Sequence, residues 1–327
     1  MTKAQIRSCT SFFSTIFFAG MLIGSPMTVS SQSTASLFIA HSGINEADRP
    51  YLTWLINELQ KSKPTTHTLK QLNTRQMTQA QLEESLSREN GCVITIGDVA
   101  LQKVLSTRQK TPVFSTLVSK TKLDNLIESY GRFEVIIGGI YHEQSFSRQI
   151  LLSKVINDKV EKLGILLGSN TRFTLPEYRK IAQTQSIDLS FFILRHHASA
   201  QQYFERLPID GGFLLILNDP EHYSSADLQT LLLTSNKRKI AMIGSKYEDS
   251  VVAALASVYT PRQKLAKEAA VEVGRLCAGE TLQKPKFSEH LAVKVNQEIA
   301  GFLGFGVLAE RTLEASLRQL ERDQSNE

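Results

Sequence analysis

The chain has 327 residues, of which 42% are hydrophobic and 21% charged. That balance excludes a disordered, collagen-like or heptad-repeat polypeptide and gives room for about two domains of roughly 100–200 residues each. A formal net charge of +5, with Lys and Arg scattered along the chain, is too weak to imply a nucleic-acid partner.

Lys3 and Arg7 precede the apolar stretch SFFSTIFFAGMLIG, and SPMTVSSQS then supplies a breaker at Pro26 and small residues. No acid occurs before Glu46. This pattern predicts a signal peptide over residues 1–31, cleaved on export, because the run from Phe12 to Ile23 is short of the ~20 residues that span a bilayer. Cys9 lies ahead of the apolar stretch, where a lipid-anchor cysteine does not sit. Loss of this segment removes two cations and leaves +3.

From residue 36 short apolar runs alternate with amphipathic spacing. ASLFIAHS reads as a strand, EADRPYLTWLINELQKS as a helix, THTLKQLN as a weaker strand and TQAQLEESLSR as a helix. GCVITIG is a strong strand, and DVALQKVLST a helix with Asp98 as its N-cap. TPVFSTLVS and RFEVIIGGI follow as strands around a helix, KLDNLIESY. The cycle restarts with helix SRQILLSKVIN, strand KLGILLGS, helix LPEYRKIAQTQ and strand DLSFFILR. Helix ASAQQYFERL, strand GGFLLILN, helix SADLQTLLLTSN and strand KIAMIGS complete it. The tail differs: one long helix ending at Gly279, a strand HLAVKVN, a short helix QEIAGFLGF and a charged terminal helix.

Continuous apolar runs between amphipathic helices mean parallel strands covered on both faces. The expected fold class is α/β, with two doubly wound parallel-sheet lobes joined by a multi-strand hinge. Mature Cys92 and Cys277, one in a strand and one in a helix, read as two separate buried thiols, with a bridge as the alternative.

In such sheets ligands sit beyond the strand C-termini, where helix N-termini offer unpaired N–H groups. Those ends read Ser42-Gly43, Gly97-Asp98, Ser115-Thr116, Gly138 to Tyr141, Gly168-Ser169-Asn170, Asn218-Asp219 and Gly244-Ser245. Turns and caps favour the same residue types, so local hydrogen bonding is the competing explanation. Ser245 lacks a nucleophile elbow, since Gly-Ser-Lys-Tyr has no second glycine, and no histidine follows before His290. His142, His196-His197 and His222 make a poor chelating set, because neighbours on an extended segment point to opposite faces. GFLGFGV lacks the order of a phosphate loop. Glu248 and Asp249 sit where a helix dipole favours acids. No enzyme, cofactor or metal is expected.

Three stretches, taken in order, carry a resemblance: GGIYHEQSFSRQILLSKVINDKVEKLGILLGS, NDPEHYSSADLQTLLLTSNKRKIAMIGSKYEDSVVAALASVYTPRQ, and FSEHLAVKVNQEIAGFLGFGV with Asn296 at a strand end. They are similar to the substrate-binding proteins of ABC transporters, in the subfamily of tryptophan-type and related amino-acid binders, and the likeness runs from about Ser36 to Leu320. The resemblance implies a type I periplasmic-binding fold with a ligand between two lobes. It implies an N-terminal lobe of residues 36–138 and 246–286 and a C-terminal lobe of residues 139–245 and 287–327, with 240–260 as a crossing. Carried over position by position, the ligand-binding set is Ser42, Gly97, Asp98, Ser115, Thr116, Tyr141, Glu143, Ser169, Asn170, Asp219, Ser245 and Tyr247. Gly139-Ile140-Tyr141 departs from the family's Thr-Gly turn, and no lipid-anchor cysteine is found. The implied function is a monomeric periplasmic solute-binding component of an ABC uptake system, taking an amino-acid-like or other carboxylate ligand to an inner-membrane permease. An exported ligand-sensing or protein-interaction module on the same fold is the alternative.

Overall fold

The computed structural model describes residues 35–46, 48–62, 67–87, 91–107, 110–130, 136–167, 175–193, 212–217, 234–235, 237–252, 254–281 and 283–325. The first lobe is built on β1 (Ala35–His41), β2 (His67–Asn73), β3 (Gly91–Ile96), β4 (Val113–Val118) and β5 (Ile137–Tyr141). All four pairings are parallel, in the order β2-β1-β3-β4-β5. Side chains alternate between faces, and both faces are covered, so β1 and β3 are buried almost throughout.

One face meets α1 (Arg49–Ser62) and α8 (Arg262–Cys277) through Leu37, Ile39, Cys92 and Ile94. Leu55 and Leu59 of α1 are fully buried there, and transfer of each such side chain from water contributes about 1.5–3 kcal/mol. The other face meets α2 (Gln79–Ser87), α3 (Asp98–Ser106) and α4 (Lys120–Tyr130) through Phe38, Val93 and Val113. Gly97, not Asp98, occupies the N-cap of α3, and the Asp98 carboxylate instead accepts from the Val99 N–H. At the end of β4 the register with β5 shifts between Ser115 and Val118, and Leu117 takes a φ of 56°. A non-glycine residue there stores strain, a device found where a strand end must be re-aimed.

The second lobe repeats the winding with β6 (Lys162–Leu167), β7 (Asp188–Ile193), β8 (Phe213–Leu215), β9 (Ala241–Gly244), β10 (Ala256–Tyr259) and β11 (Ala292–Val295). Their order is β11-β10-β9-β8-β6-β7, parallel except for the β10–β11 pair. α5 (Phe146–Ile156), α6 (Leu175–Thr184), α7 (Tyr247–Val252), α9 (Gln297–Leu303) and α10 (Glu310–Ser325) complete it. Its core joins Phe146 and Ile150 of α5 to Leu163, Phe213, Ile243 and Val258 of the strands and to Leu313 and Leu317 of α10. Asn296 caps α9 by accepting from the Ile299 N–H.

Strand pairing corrects two sequence expectations. Residues 246–259 carry α7 and β10, and β10 lies between β9 and β11, so this stretch belongs to the second lobe. The return passage therefore starts at Thr260, not at residue 246. The boundary was misplaced because Gly244-Ser245 ends an apolar strand just as a crossing does. The second correction concerns the cysteines. Cys92 on β3 and Cys277 at the end of α8 form a disulfide with Cα atoms 5.8 Å apart. Sequence spacing gave no sign of it, because the partners are 185 residues apart. The predicted signal segment, the helix at 198–207, all but Thr234 and Ser235 of the helix at 225–236, His196-His197 and His222 lie outside the described residues.

Closing so long a loop stabilises by restricting the unfolded chain, with a contribution of about 3–5 kcal/mol. Replacing both cysteines by alanine, or adding reductant, is expected to lower the urea midpoint accordingly. An unchanged midpoint would show that the packing of α8 on β3 suffices without the bridge.

Candidate functional site

Three passages join the lobes, and they meet at one side chain. β5 leads into His142–Ser145, where Ser145 caps α5 by accepting from the Arg148 N–H. β10 leads through Thr260 and Pro261 into α8. The third passage returns from α8 to β11 and bridges Ile140 at Lys286, with Tyr141 N–H donating to Lys286 O. The Gln144 amide nitrogen donates to Thr260 Oγ1 at 2.6 Å and to His290 O at 2.8 Å. Its backbone N–H donates to Ser245 O, and its amide oxygen accepts from Arg148, which also reaches Ser288 O. Gln144 is 2% exposed, so few of these groups find water if it is removed.

Beside this junction opens a recess of about 580 Å³, walled by both lobes. The first lobe contributes the start of α4, Lys120 and Thr121; the second contributes Leu217 and Ser245 at strand ends and Tyr178 and Ile181 on α6. Phe146 and Phe287 add apolar surface from the passages themselves. Phe287 packs on Tyr141 at 4.8 Å, and Phe146 on Tyr178 at 4.6 Å.

Among the described residues the charged side chains that line this recess are Lys120, Glu143 and Glu177. Glu143 accepts from the Lys120 N–H at 2.7 Å, so this chain's own carboxylate occupies the N-terminus of α4. The Lys120 ammonium reaches Asp124 at 2.8 Å and Glu177 at 3.5 Å. Burial works against that charge, yet Asp124 and Glu177 outweigh it and hold the ammonium above its ordinary value. Ser245 is 1% exposed, and its Oγ has no hydrogen-bond partner among the described residues. Its backbone is fixed by Asp249, whose carboxylate accepts from the N–H groups of Ser245 and Lys246. That turn requires a glycine before it, since a Cβ on Gly244 would lie 2.3 Å from the Asp249 Cβ. Burial pushes the Asp249 carboxyl up, with the Lys246 charge and the two N–H donors opposing it.

A second recess of about 380 Å³ includes His142, Lys246, Tyr247 and Arg262. Arg262 is shared between Asp48 of the first lobe and Glu248 of the second. Tyr247 meets Tyr259 edge-on at 5.3 Å.

Of the residues expected from the sequence, Glu143 and Ser245 come together in the first recess and Tyr247 lies in the second. Ser115 and Thr116 are wholly buried in β4, where Thr116 donates to Thr95 O. Tyr141 faces α4, donating to Asp124, and burial together with that carboxylate pushes its hydroxyl up. Ser42, Gly97 and Asp98 stand at strand ends of the first lobe and line neither recess. Ser169, Asn170 and Asp219 lie outside the described residues. Sequence reasoning passed over Lys120, Gln144, Phe146, Glu177, Tyr178 and Phe287. The run Glu143-Gln144-Ser145 directly after an apolar strand was the available signal for the junction.

Residues 57–313 match the family model for ABC transporter substrate binding proteins. The chain belongs to that family. Among curated proteins no sequence matches this substrate-binding protein. Its structure is similar to a ligand-free, open substrate-binding protein with adhesive properties from Clostridium difficile, with a TM-score of 0.66 at 14% identity. That likeness covers 85% of this chain and 97% of the other. It is also similar to an ABC domain in complex with L-Trp from Streptococcus pneumonia, with a TM-score of 0.58, 17% identity and coverage of 86% and 98%. A conserved domain protein from Vibrio cholerae gives a TM-score of 0.57, 16% identity and the same coverage. These neighbours establish the type I periplasmic-binding-protein fold for the substrate-binding protein. Among the described residues no helix is long and apolar enough to cross a membrane, and no cluster of metal-ligating side chains is found.

Two outcomes follow from the junction. Gln144→Ala leaves Thr260, His290 O and Arg148 without their partner and is expected to cost about 2–3 kcal/mol in urea unfolding. A cost under about 0.5 kcal/mol would show that the passages hold without it. Burial and the nearby Lys246 lower the His142 pKa from 6.5 to about 4, with Arg262 acting the same way and Glu248 and Asp48 against it. Between those values the unfolded chain binds a proton that the folded chain does not. Stability is therefore expected to fall as pH drops from 6.5 towards 4, by at most about 1.4 kcal/mol per pH unit. His142→Gln should flatten that part of the profile; an equal slope in the variant would assign it to other groups.

Proposed function

We propose that this substrate-binding protein is the exported solute-capture component of an ABC-type uptake system. It works as a monomer in the periplasm, holding a small organic ligand between its lobes and presenting the closed form to an inner-membrane permease. The observation that carries this reading is the first recess. It opens between the lobes, has a mostly apolar surface, and is lined by Ser245, whose buried hydroxyl has no hydrogen-bond partner among the described residues. A buried hydroxyl without a partner costs free energy, which a ligand can recover on binding. Ser245 holds the ligand without reacting, because no base lies within hydrogen-bond reach of its Oγ among the described residues.

Export is supported by the basic and apolar N-terminal stretch and by the disulfide, which persists in oxidising compartments. The two-lobed architecture supports capture by closure. Contacts made only when both walls meet the ligand shift the population towards the closed form. The neighbour solved with L-Trp supports a ligand of amino-acid size.

The test is a thermal-shift panel of amino acids, amines, carboxylates, nucleosides and vitamins on the chain from about residue 32. A ligand at ~100 times its Kd stabilises by about 2.7 kcal/mol. Ser245→Ala is expected to weaken the active ligand by about fivefold, the worth of one hydrogen bond. A panel without a single shift would sink the capture reading.

A further inference from the structure

Ion pairs run directly from one lobe to the other as well as through the three passages. Lys120 of α4 reaches Glu177 of α6 at 3.5 Å, and both line the first recess. Arg262 of α8 reaches Glu248 of α7 at 2.9 Å, and both line the second. The Arg262 pair thus joins the lobes away from the recess read as the ligand site.

Its two ends are anchored differently. Arg262 stands in the first turn of α8, which packs on α1 in the first lobe, and its Nη1 is held by Asp48. Asp48 belongs to the start of α1: its N–H donates to Asn45, and its carbonyl accepts from the Leu52 N–H. The guanidinium is a planar fork, so one acid of its own lobe aims the remaining nitrogen at the other lobe. Glu248 moves with the second lobe, because α7 packs on β9, β10 and β11. The first turn of α7 is tied down by Asp249, which accepts from the N–H groups of Ser245 and Lys246. Ser245 in that same turn lines the first recess, so Glu248 is carried by the wall that a ligand would meet. Any shift of one lobe on the other leaves the Asp48 contact whole and makes or breaks the Glu248 contact. The Glu248 and Arg262 side chains are 46% and 25% exposed, which keeps the bond weak and open to screening, as suits a contact that has to part.

We infer that Arg262 and Glu248 form a latch between the lobes, which favours the lobe arrangement described here over others without touching the first recess. The pair biases a population of arrangements, so its loss changes their ratio and leaves the fold intact.

Single-molecule energy transfer between dyes on Lys61→Cys of α1 and Glu298→Cys of α9, in the chain from about residue 32, reads the distance between lobes. Both sites are exposed, and Cys92 and Cys277 are held in their disulfide. Glu248→Ala is expected to lower the ratio of the main population to all others by about two- to fivefold at low salt. Glu248→Lys, which sets two cations face to face, is expected to lower it further. Raising salt tenfold should bring the wild-type ratio towards that of Glu248→Ala. A ratio in Glu248→Ala that is unchanged or raised overturns the latch, as does a wild-type ratio indifferent to salt. The measurement uses no ligand, so it decides the latch separately from solute capture.

Discussion

The side-chain amide of Gln144 holds together the three passages on which the two-lobed architecture depends. Each passage alone is a short irregular segment with few neighbours, and such segments ordinarily exchange among conformations. Here the amide nitrogen reaches the second and third passages from the first, while its oxygen is fixed by Arg148. Arg148 in turn reaches Glu321 on the terminal helix, so the last element of the chain also bears on the junction. The three passages thus share one small polar junction. Both recesses include residues of the first passage.

The repeated winding explains why chemistry collects there. Each sheet is parallel over most of its width, so its strand C-termini lie along one edge and every loop leaving that edge is drawn to the same region. Ser245 ends β9 and Leu217 follows β8, and α4 begins just beyond β4. What the topology alone does not supply is the link between the first passage and the first lobe, which comes from Glu143 reaching back to cap α4.

Much of the fold was legible because period-two burial on both strand faces leaves an unmistakable pattern of short apolar runs, as in GCVITIG and KLGILLGS. The doubly wound class and nearly every described strand followed from it. The lobe boundary did not, since α7 and β10 look locally like any other βα unit and only their pairing with β9 and β11 assigns them. Cys92 and Cys277 failed for the same reason: proximity across 185 residues is a property of packing. In the site, Ser245 and Glu143 were visible as polar residues following strands. Tyr141 and Ser115 shared that appearance but point into the first lobe, because a strand's last residues alternate between core and cleft. Gln144 carried no signal of its own, since an amide that satisfies two remote groups reads in one dimension as an ordinary polar residue.

The disulfide has a consequence for integrity as well as for folding. It closes a covalent ring running from Cys92 to Cys277, and β4 to β10 all lie within it. The greater part of the second lobe is thus an excursion from a ring whose ends are fastened in the first. A protease that severs any one bond inside the ring opens the chain without releasing a fragment. Such a nicked molecule keeps its full mass until a reductant separates the pieces, so a binding protein of this design can be cut once between its cysteines and remain a single covalent body.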